Sequence, residues 1–531
     1  MTGGPGGTEP NFVFIMTDQH RADYLGCTGH PVLRTPNIDA VAARGTIMNR
    51  FHVSSPVCMP NRAVFVTGLL SSVNGVRQNG NDLPHSITTF PELLSAAGYD
   101  TALIGKSHLQ TMTAAPTPIG DNPAGNGRLA NAVDIGDEDR YRWEDPHNWA
   151  ANGPLRFDTP FYGFDTVDLV TFHGDRTGGH HLAWQADQVG DPEMIRGAEN
   201  QLPHDYGCPQ AIRTAVPEEL YSTRYIADRA VEYLREPARA EAPFFAFVSF
   251  PDPHHPFTPP GRYWDMYAPE AMPDDENLAT HANPPPHLRW VRRQPFPEGP
   301  SFQTEAVQVK AEHLQEAKAL TCGMIAMIDD AVGAIVDTLE SQGLGDNTII
   351  VFTADHGDYL GHHGLLFKGG MHFQSLIRLP MIWADPRVDQ PTTSDVLAST
   401  LDLAPTILSA AGVTPTAGLQ GIDLTPALIG SGAAHGLERE EILIEEQTYF
   451  PNILGFDGQV RVRSLLRDRW RLTVYLGVDW GELYNLADDP LECHNLWDDP
   501  AHLTVRNDLL WRLVQNQIGY AAQSPWPKQE A

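Results

Sequence analysis

The sequence predicts an α/β protein: a large, mostly parallel central sheet flanked by helices, with a smaller antiparallel sheet near the C-terminus. Three observations carry this. The apolar runs Asn11–Met16, Pro243–Phe250 and Asn347–Thr353 are continuous, without the alternation of a half-exposed strand, so they predict strands buried on both faces. Helical periodicity lies between them, most clearly over Glu312–Leu339, where Ile325, Ile328, Val332, Ile335, Val336 and Leu339 share a face. Beyond about residue 440 the pattern shifts to shorter strand-like runs: Glu441–Ile444, Val460–Leu466 and Trp470–Tyr475. The division expected is a main domain over 1–435 and a smaller α+β subdomain over 436–531.

Composition narrows the function. Lys+Arg total 36 against 67 Asp+Glu, a formal net charge of −31 in 531 residues. So acidic a chain is expected to bind neither nucleic acid nor an anionic membrane, although local charge in a cleft still decides whether a small anion is taken. Five cysteines (Cys27, Cys58, Cys208, Cys322, Cys493) are too scattered for a disulfide framework. Met1–Gly7 has neither a basic region nor an apolar run, and no stretch reads as a membrane span. A cytoplasmic setting is expected.

Taken in order, the predicted strands end in residues that carry chemistry. Asn11–Met16 runs into Asp18-Gln19, whose oxygens suit a hard divalent cation or, equally, a turn or helix cap. Pro36–Gly45 predicts a helix closed by glycine. Cys58, Pro60 and Arg62 have the form C-x-P-x-R, and Ala63–Gly68 continues as a short helix. Cys58 is either a small residue in a turn or a nucleophile at the front of a helix, where the dipole favours an anion. Asn79 lies in a loop and either faces a site or shapes the turn. Phe90–Tyr99 predicts a helix, and the strand Thr101–Gly105 delivers Lys106-Ser107-His108, with Lys106 and His108 on one side if the chain stays extended.

Residues 112–220 show little periodicity and predict a long excursion bordering a site. Their aromatics, including Trp143, Trp149 and Trp184 beside His180 and His181, either grip a ligand or form a satellite core. The strand Pro243–Phe250 ends in the paired His254-His255 among prolines, and Asn347–Thr353 ends in Asp355-His356. Lys368 comes after a His-His-Gly turn.

In this order the stretches resemble the sulfatase family of the alkaline-phosphatase-like superfamily, over nearly the whole chain except 112–220 and the Pro-rich region after Phe257. The resemblance extends to Glu482–Leu486 with Pro490 and Asn495-Leu496. It implies that a formylglycine-generating enzyme converts Cys58 to formylglycine, the nucleophile of covalent catalysis. It implies one divalent cation on Asp18, Gln19, Asp355 and His356. Arg62 would steady the nucleophile, His108 would act as base in the elimination step, and Lys106, His254 and Lys368 would bind the non-bridging oxygens, with a Lys or His assisting the leaving oxygen. Adjacent residues are not separable by pattern, so His255 stands as an alternative to His254.

The implied substrate is a small sulfate ester. The chain also departs from many sulfatases, which carry a second aspartate in place of Gln19 and often asparagine in place of His356. Phosphonate monoester hydrolases, a sister branch, match at both positions and at Asn79, but carry hydroxyl side chains in place of Lys106 and His108. The expectation is therefore a sulfatase with side activity on phosphodiesters or phosphonate monoesters. Imidazole in the ligand set favours manganese, which stands beside calcium and, behind them, magnesium. Homo-oligomeric assembly, common among related enzymes, is left open.

Overall fold

Strand β1 (Asn11–Thr17) is buried at every position, and its side chains divide between two layers. Phe12, Phe14 and Met16 enter one hydrophobic core, while Val13 and Ile15 enter another on the opposite face. That is the period-two consequence of a strand covered on both faces, and it is why the run shows no polar alternation. The computed structural model describes residues 9–113, 138–152, 159–274, 281, 283–297, 305–388, 390–430, 437, 439–448 and 453–522. The expected boundary at 435/436 lies outside them, as do 114–137 and 153–158 of the excursion.

After β1, the main sheet takes β2 (Thr46–Met48), β3 (Asp100–Gly105), β4 (Thr166–Thr171), β5 (Gly178–Gly179), β6 (Phe244–Phe250), β7 (Thr348–Ala354), β8 (Met381–Ala384) and β9 (Thr392–Ser394). Their spatial order is β9-β2-β8-β7-β1-β6-β3-β4-β5. The centre, β7-β1-β6-β3-β4, is parallel, with Phe14 opposite both Phe247 and Val351. Antiparallel pairs, β7 with β8 and β4 with β5, flank it, so the sheet is mixed around a parallel core. Strands β4 and β5 lie inside the 112–220 stretch, which thus contributes to the sheet as well as to the loops above it.

The first face carries α2 (Cys58–Thr67), α3 (Phe90–Ala96) and α6 (Leu403–Ala410); the second carries α1 (Pro36–Ala42), α4 (Ser222–Arg235) and α5 (Ala311–Ser341). By length and composition α5 is apolar enough to cross a membrane, which corrects the sequence expectation that no stretch is. Its apolar surface is already used: 78% of its most apolar 18-residue window is buried inside the protein. Of the predicted face, Ile325, Ile328, Val332, Ile335 and Leu339 pack inward, and Val336 is only partly buried.

The C-terminal part is an antiparallel meander of β10 (Glu441–Thr448), β11 (Val460–Arg467), β12 (Trp470–Tyr475) and β13 (Gly481–Asn485), with α7 (Leu503–Gly519) across it. Leu443, Leu465, Leu472 and Leu483 form a core with Val64 of α2 and Leu509 and Leu513 of α7. Helix α2 is therefore held from both sides: Phe65 packs on Phe14 of the main sheet at 4.6 Å between ring centroids, and Val64 packs on the meander.

All five parallel strands present their C-terminal ends at one edge. There Gly105, at φ +110°, lets β3 pass close to β6; a Cβ at this position would stand 2.0 Å from the Ser249 carbonyl oxygen. Gly105→Ala is expected to lower unfolding free energy by about 3 kcal/mol or more, combining left-handed strain with overpacking. Denaturant unfolding measures it, and a loss below about 0.5 kcal/mol contradicts the close approach.

Candidate active site

Cys58 is the first residue of α2, and every residue of this helix is buried. Pro60 sits in the first turn, where its missing N–H costs no helical hydrogen bond. The turn is held from outside. Asn79 Oδ1 accepts from the Met59 N–H at 3.2 Å, and Asn61 Oδ1 accepts from the N–H groups of Ser54 and Ser55, both at 3.2 Å. Asn61 Nδ2 donates to the Asp355 carbonyl at 2.5 Å and to Thr400 Oγ1 at 3.1 Å. Asn79 itself is exposed, and its observed contact is with the helix start.

Arg62, one turn on and 1% exposed, ties the strand ends together. Its Nε donates to Asp355 Oδ2 at 2.8 Å, and its Nη1 donates to the Lys106 carbonyl and to Ser249 Oγ, both at 2.8 Å. Its Nη2 lies 3.8 Å from Asp18 Oδ2. The strand ends also bond to one another: Asp355 N–H to the Thr17 carbonyl at 3.0 Å, and Asp18 N–H to the Asp252 carbonyl at 3.1 Å.

Around the Cys58 sulfur stand His356 Nε2 at 3.0 Å, Lys368 Nζ at 3.1 Å and Asp18 Oδ1 at 3.6 Å. Burial and the Asp18 carboxylate push the thiol up, but Lys368, His356 and Lys106 outweigh them and its pKa is lowered. For Asp18, burial would raise the carboxyl, yet the Lys106 ammonium holds it well below the usual carboxylate range.

Asp18, Cys58, Asp355 and His356 each offer a ligand atom within 4.8 Å of the others. Gln19 lies beside this cluster, its N–H 3.1 Å from Asp355 Oδ1. Its φ is 60°, and its Nε2 meets Asp358 Oδ2 at 2.5 Å and His255 Nδ1 at 3.0 Å. An ionised carboxylate only accepts, so the amide nitrogen faces Asp358, and Gln19 Oε1 is left buried with no partner among the described residues. His356 Nδ1 lies 2.8 Å from the Gly357 carbonyl, to which it donates, and this fixes the ring with Nε2 toward the site. Two carboxylates, an orphan amide oxygen and an imidazole fit a divalent cation.

A second cluster, Asp18, His173 and His254, also has metal-ligand spacing. Here the place of a cation is taken by the Lys106 ammonium, which bonds to Asp18 Oδ2 and lies 2.6 Å from His173 Nε2.

The adjacent histidines separate by their contacts. His254 Nε2 lies 2.8 Å from Lys368 Nζ, and its ring stacks on His173. His255 turns to Gln19 and packs on Phe367 with the rings tilted and their centroids 4.2 Å apart, its Nε2 unpartnered among the described residues. Lys106 and His108 do not share an extended segment: His108 has φ 54°, so the chain turns. Glu144 makes that turn, accepting from Ser107 Oγ at 3.0 Å and from the N–H groups of His108, Leu109 and Gln110 at 2.9, 2.9 and 3.0 Å. Burial pushes the Glu144 carboxyl up to about 7 despite these bonds. Burial and Lys106 push His108 well below its ordinary value, so its imidazole is neutral.

Pattern does not single out His173, Glu144, Ser249 and Asp358. His173 lies just past the run Val167–Thr171, a strand signature readable in the sequence but set among aperiodic residues. Of the tryptophans, Trp149 is buried against His180 at 4.9 Å, Trp184 packs on Tyr225 at 5.0 Å, and Trp143 is partly buried on the main core. They pack as structure, on the two main cores of the central sheet and not in a satellite core.

Comparison with known proteins shows the family and the fold. A model of the Sulfatase family matches residues 10–413, and one of the C-terminal region of N-sulphoglucosamine sulphohydrolase matches 361–518. The choline-sulfatase of Rhizobium meliloti (strain 1021) is 27% identical over 524 residues, covering 94% of this chain and 86% of that protein. A multifunctional alkaline phosphatase superfamily protein of Trinickia caryophylli is 29% identical over 536 residues, covering 95% and 96%. The crystal structure of the phosphonate monoester hydrolase of Agrobacterium radiobacter superimposes with a TM-score of 0.76 at 25% identity, covering 97% of each chain. The chain belongs to the sulfatase family.

Proposed function

We propose that this chain hydrolyses sulfate monoesters, aryl or small alkyl, at the site centred on Cys58. One observation carries the reading: the Cys58 sulfur lies at a helix N-terminus, within 3.1 Å of Lys368 Nζ and 3.6 Å of an Asp18 oxygen that belongs to a metal-ligand set. Conversion by a formylglycine-generating enzyme would supply an aldehyde hydrate in place of this thiol. A divalent ion on Asp18, Gln19, Asp355 and His356, calcium or manganese before magnesium, would supply Lewis-acid polarisation of the ester.

The chain's own groups do the rest. Arg62, Lys106 and Lys368 are buried cations set against the buried carboxylates of Asp18, Asp355 and Asp358, so that with a divalent ion bound the site would carry the excess of positive charge that suits an anion. Lys106, Lys368 and His254 bind the non-bridging oxygens, and one of them protonates the departing ester oxygen. His108, neutral and fixed by the Glu144 turn, takes a proton in the elimination step. Arg62 holds the helix start against the strand ends, so the nucleophile and the cations keep one geometry.

A second reading, hydrolysis of phosphonate monoesters or phosphodiesters, is favoured by Gln19 and His356 in the ligand set and by the likeness to the Agrobacterium radiobacter enzyme. Lys106 and His108 favour sulfate.

Protein co-expressed with a formylglycine-generating enzyme is expected to give a higher kcat/KM on an aryl sulfate than on an aryl phosphonate monoester, and Cys58→Ala to lose both. The opposite ratio supports the second reading; an unaffected Cys58→Ala contradicts both. Metal-stripped protein is expected to gain about 2.7 kcal/mol in stability when the preferred ion reaches a hundred times its dissociation constant. Gln19→Leu should need a higher ion concentration for the same shift in melting temperature, and an identical titration removes Gln19 from the ligand set.

A further inference from the structure

His173 enters the site from the end of β4. The preceding residue, Phe172, has φ 65°, and this left-handed turn brings His173 back over the strand ends. Its ring lies flat on His254, with centroids 3.6 Å apart and planes 11° from parallel, and His254 lies on His255 at 4.0 Å and 27°. The outer edge of the stack is tied to one lysine and its middle to the other. Lys106 Nζ is 2.6 Å from His173 Nε2, and Lys368 Nζ is 2.8 Å from His254 Nε2. An ammonium only donates, so each of these ring nitrogens accepts, and each lysine is aimed by one ring of a stacked pair. His173 is 12% exposed at its side chain, whereas Lys106 and Asp18 beside it are fully buried. It covers the ammonium from the solvent side.

We infer that His173 is a positioning residue that fixes the Lys106 ammonium relative to His254, and so sets the spacing of the groups that receive the ester. The inference rests on the proposed function, since the spacing matters only if an anionic ester binds there. Two features of the ring do separate work. The acceptor nitrogen aims Lys106, and the flat face holds His254 at stacking distance. Lysine carries a long flexible stem, and a cation displaced by about 1 Å at such a site costs on the order of a hundredfold in rate.

The test uses full-length protein with Cys58 converted, and the variants His173→Phe, which keeps the face without the acceptor, and His173→Gln, which keeps an acceptor without the ring. Aryl sulfates with phenols of graded pKa are the substrates, and binding of inorganic sulfate is measured by calorimetry. A misaimed acid hurts poor leaving groups most. In His173→Phe, kcat is therefore expected to fall roughly 10-fold for the most acidic phenol and roughly 100-fold for the least acidic, with sulfate bound roughly 10-fold more weakly. His173→Gln should recover part of the sulfate affinity. Equal losses on every substrate with unchanged sulfate affinity overturn the assignment, and so does a variant that matches the parent throughout. Failure of the proposed function looks different: the parent then cleaves no sulfate ester, while the sulfate affinities of the three proteins still decide the role of His173.

Discussion

A fully buried guanidinium organises this site. Taking Arg62 out of water is costly, and the cost is offset only because the carboxylate of Asp355, the carbonyl of Lys106 and the hydroxyl of Ser249 meet it in good geometry. These three partners belong to the ends of β7, β3 and β6. The same side chain sits one turn after Cys58, so Cys58, the Asp355 carboxylate and the segment carrying Lys106 and His108 are held by one group. Arginine suits this place because its planar fork reaches several acceptors at once and keeps its charge when buried.

The rest of the fold makes that convergence possible. Parallel strands bring their C-terminal ends to one edge, so residues over three hundred positions apart, such as Gln19 and Asp355, come within hydrogen-bond distance. Helix α2 lies between two sheets, packing on Phe14 through Phe65 and on the C-terminal meander through Val64. The meander reaches the site by a second route: Glu446 of β10 accepts from the Gly370 N–H at 2.8 Å and bonds to His372 at 3.0 Å, steadying the loop that carries Lys368. The small sheet is thus part of the site's support.

Much of this is legible in the sequence, for a physical reason. Asp18, Gln19, Asp355 and His356 come directly after apolar runs that admit only one environment, a strand buried on both faces. Such strands bring the residues at their C-terminal ends to a common edge. Other residues are legible only as alternatives. His254 and His255 differ by which lysine or amide they meet, which pattern does not encode. Asn79 and the three tryptophans need contacts to show that they brace and pack. His108 does not lie on the extended segment that alternation predicts, because the turn at φ 54° is imposed by Glu144, a residue from another part of the chain. His173 stays hidden because its strand is short and lies among aperiodic residues. Helix α5 escapes the sequence expectation of no membrane span, and its apolar length reflects burial between sheet and surface loops.

In the proposed site the strand ends would hold one divalent ion on Asp18, Gln19, Asp355 and His356, while the Lys106 ammonium takes the neighbouring cation position beside His173. Anomalous diffraction at the manganese edge, on crystals of the metal-loaded protein, tests it most directly. A single anomalous peak is expected within bonding distance of the Gln19 Oε1 and His356 Nε2 atoms, with Lys106 Nζ still between Asp18 and His173. A peak among Asp18, His173 and His254 with Lys106 swung away, or no peak at the Gln19 set under saturating metal, would contradict it.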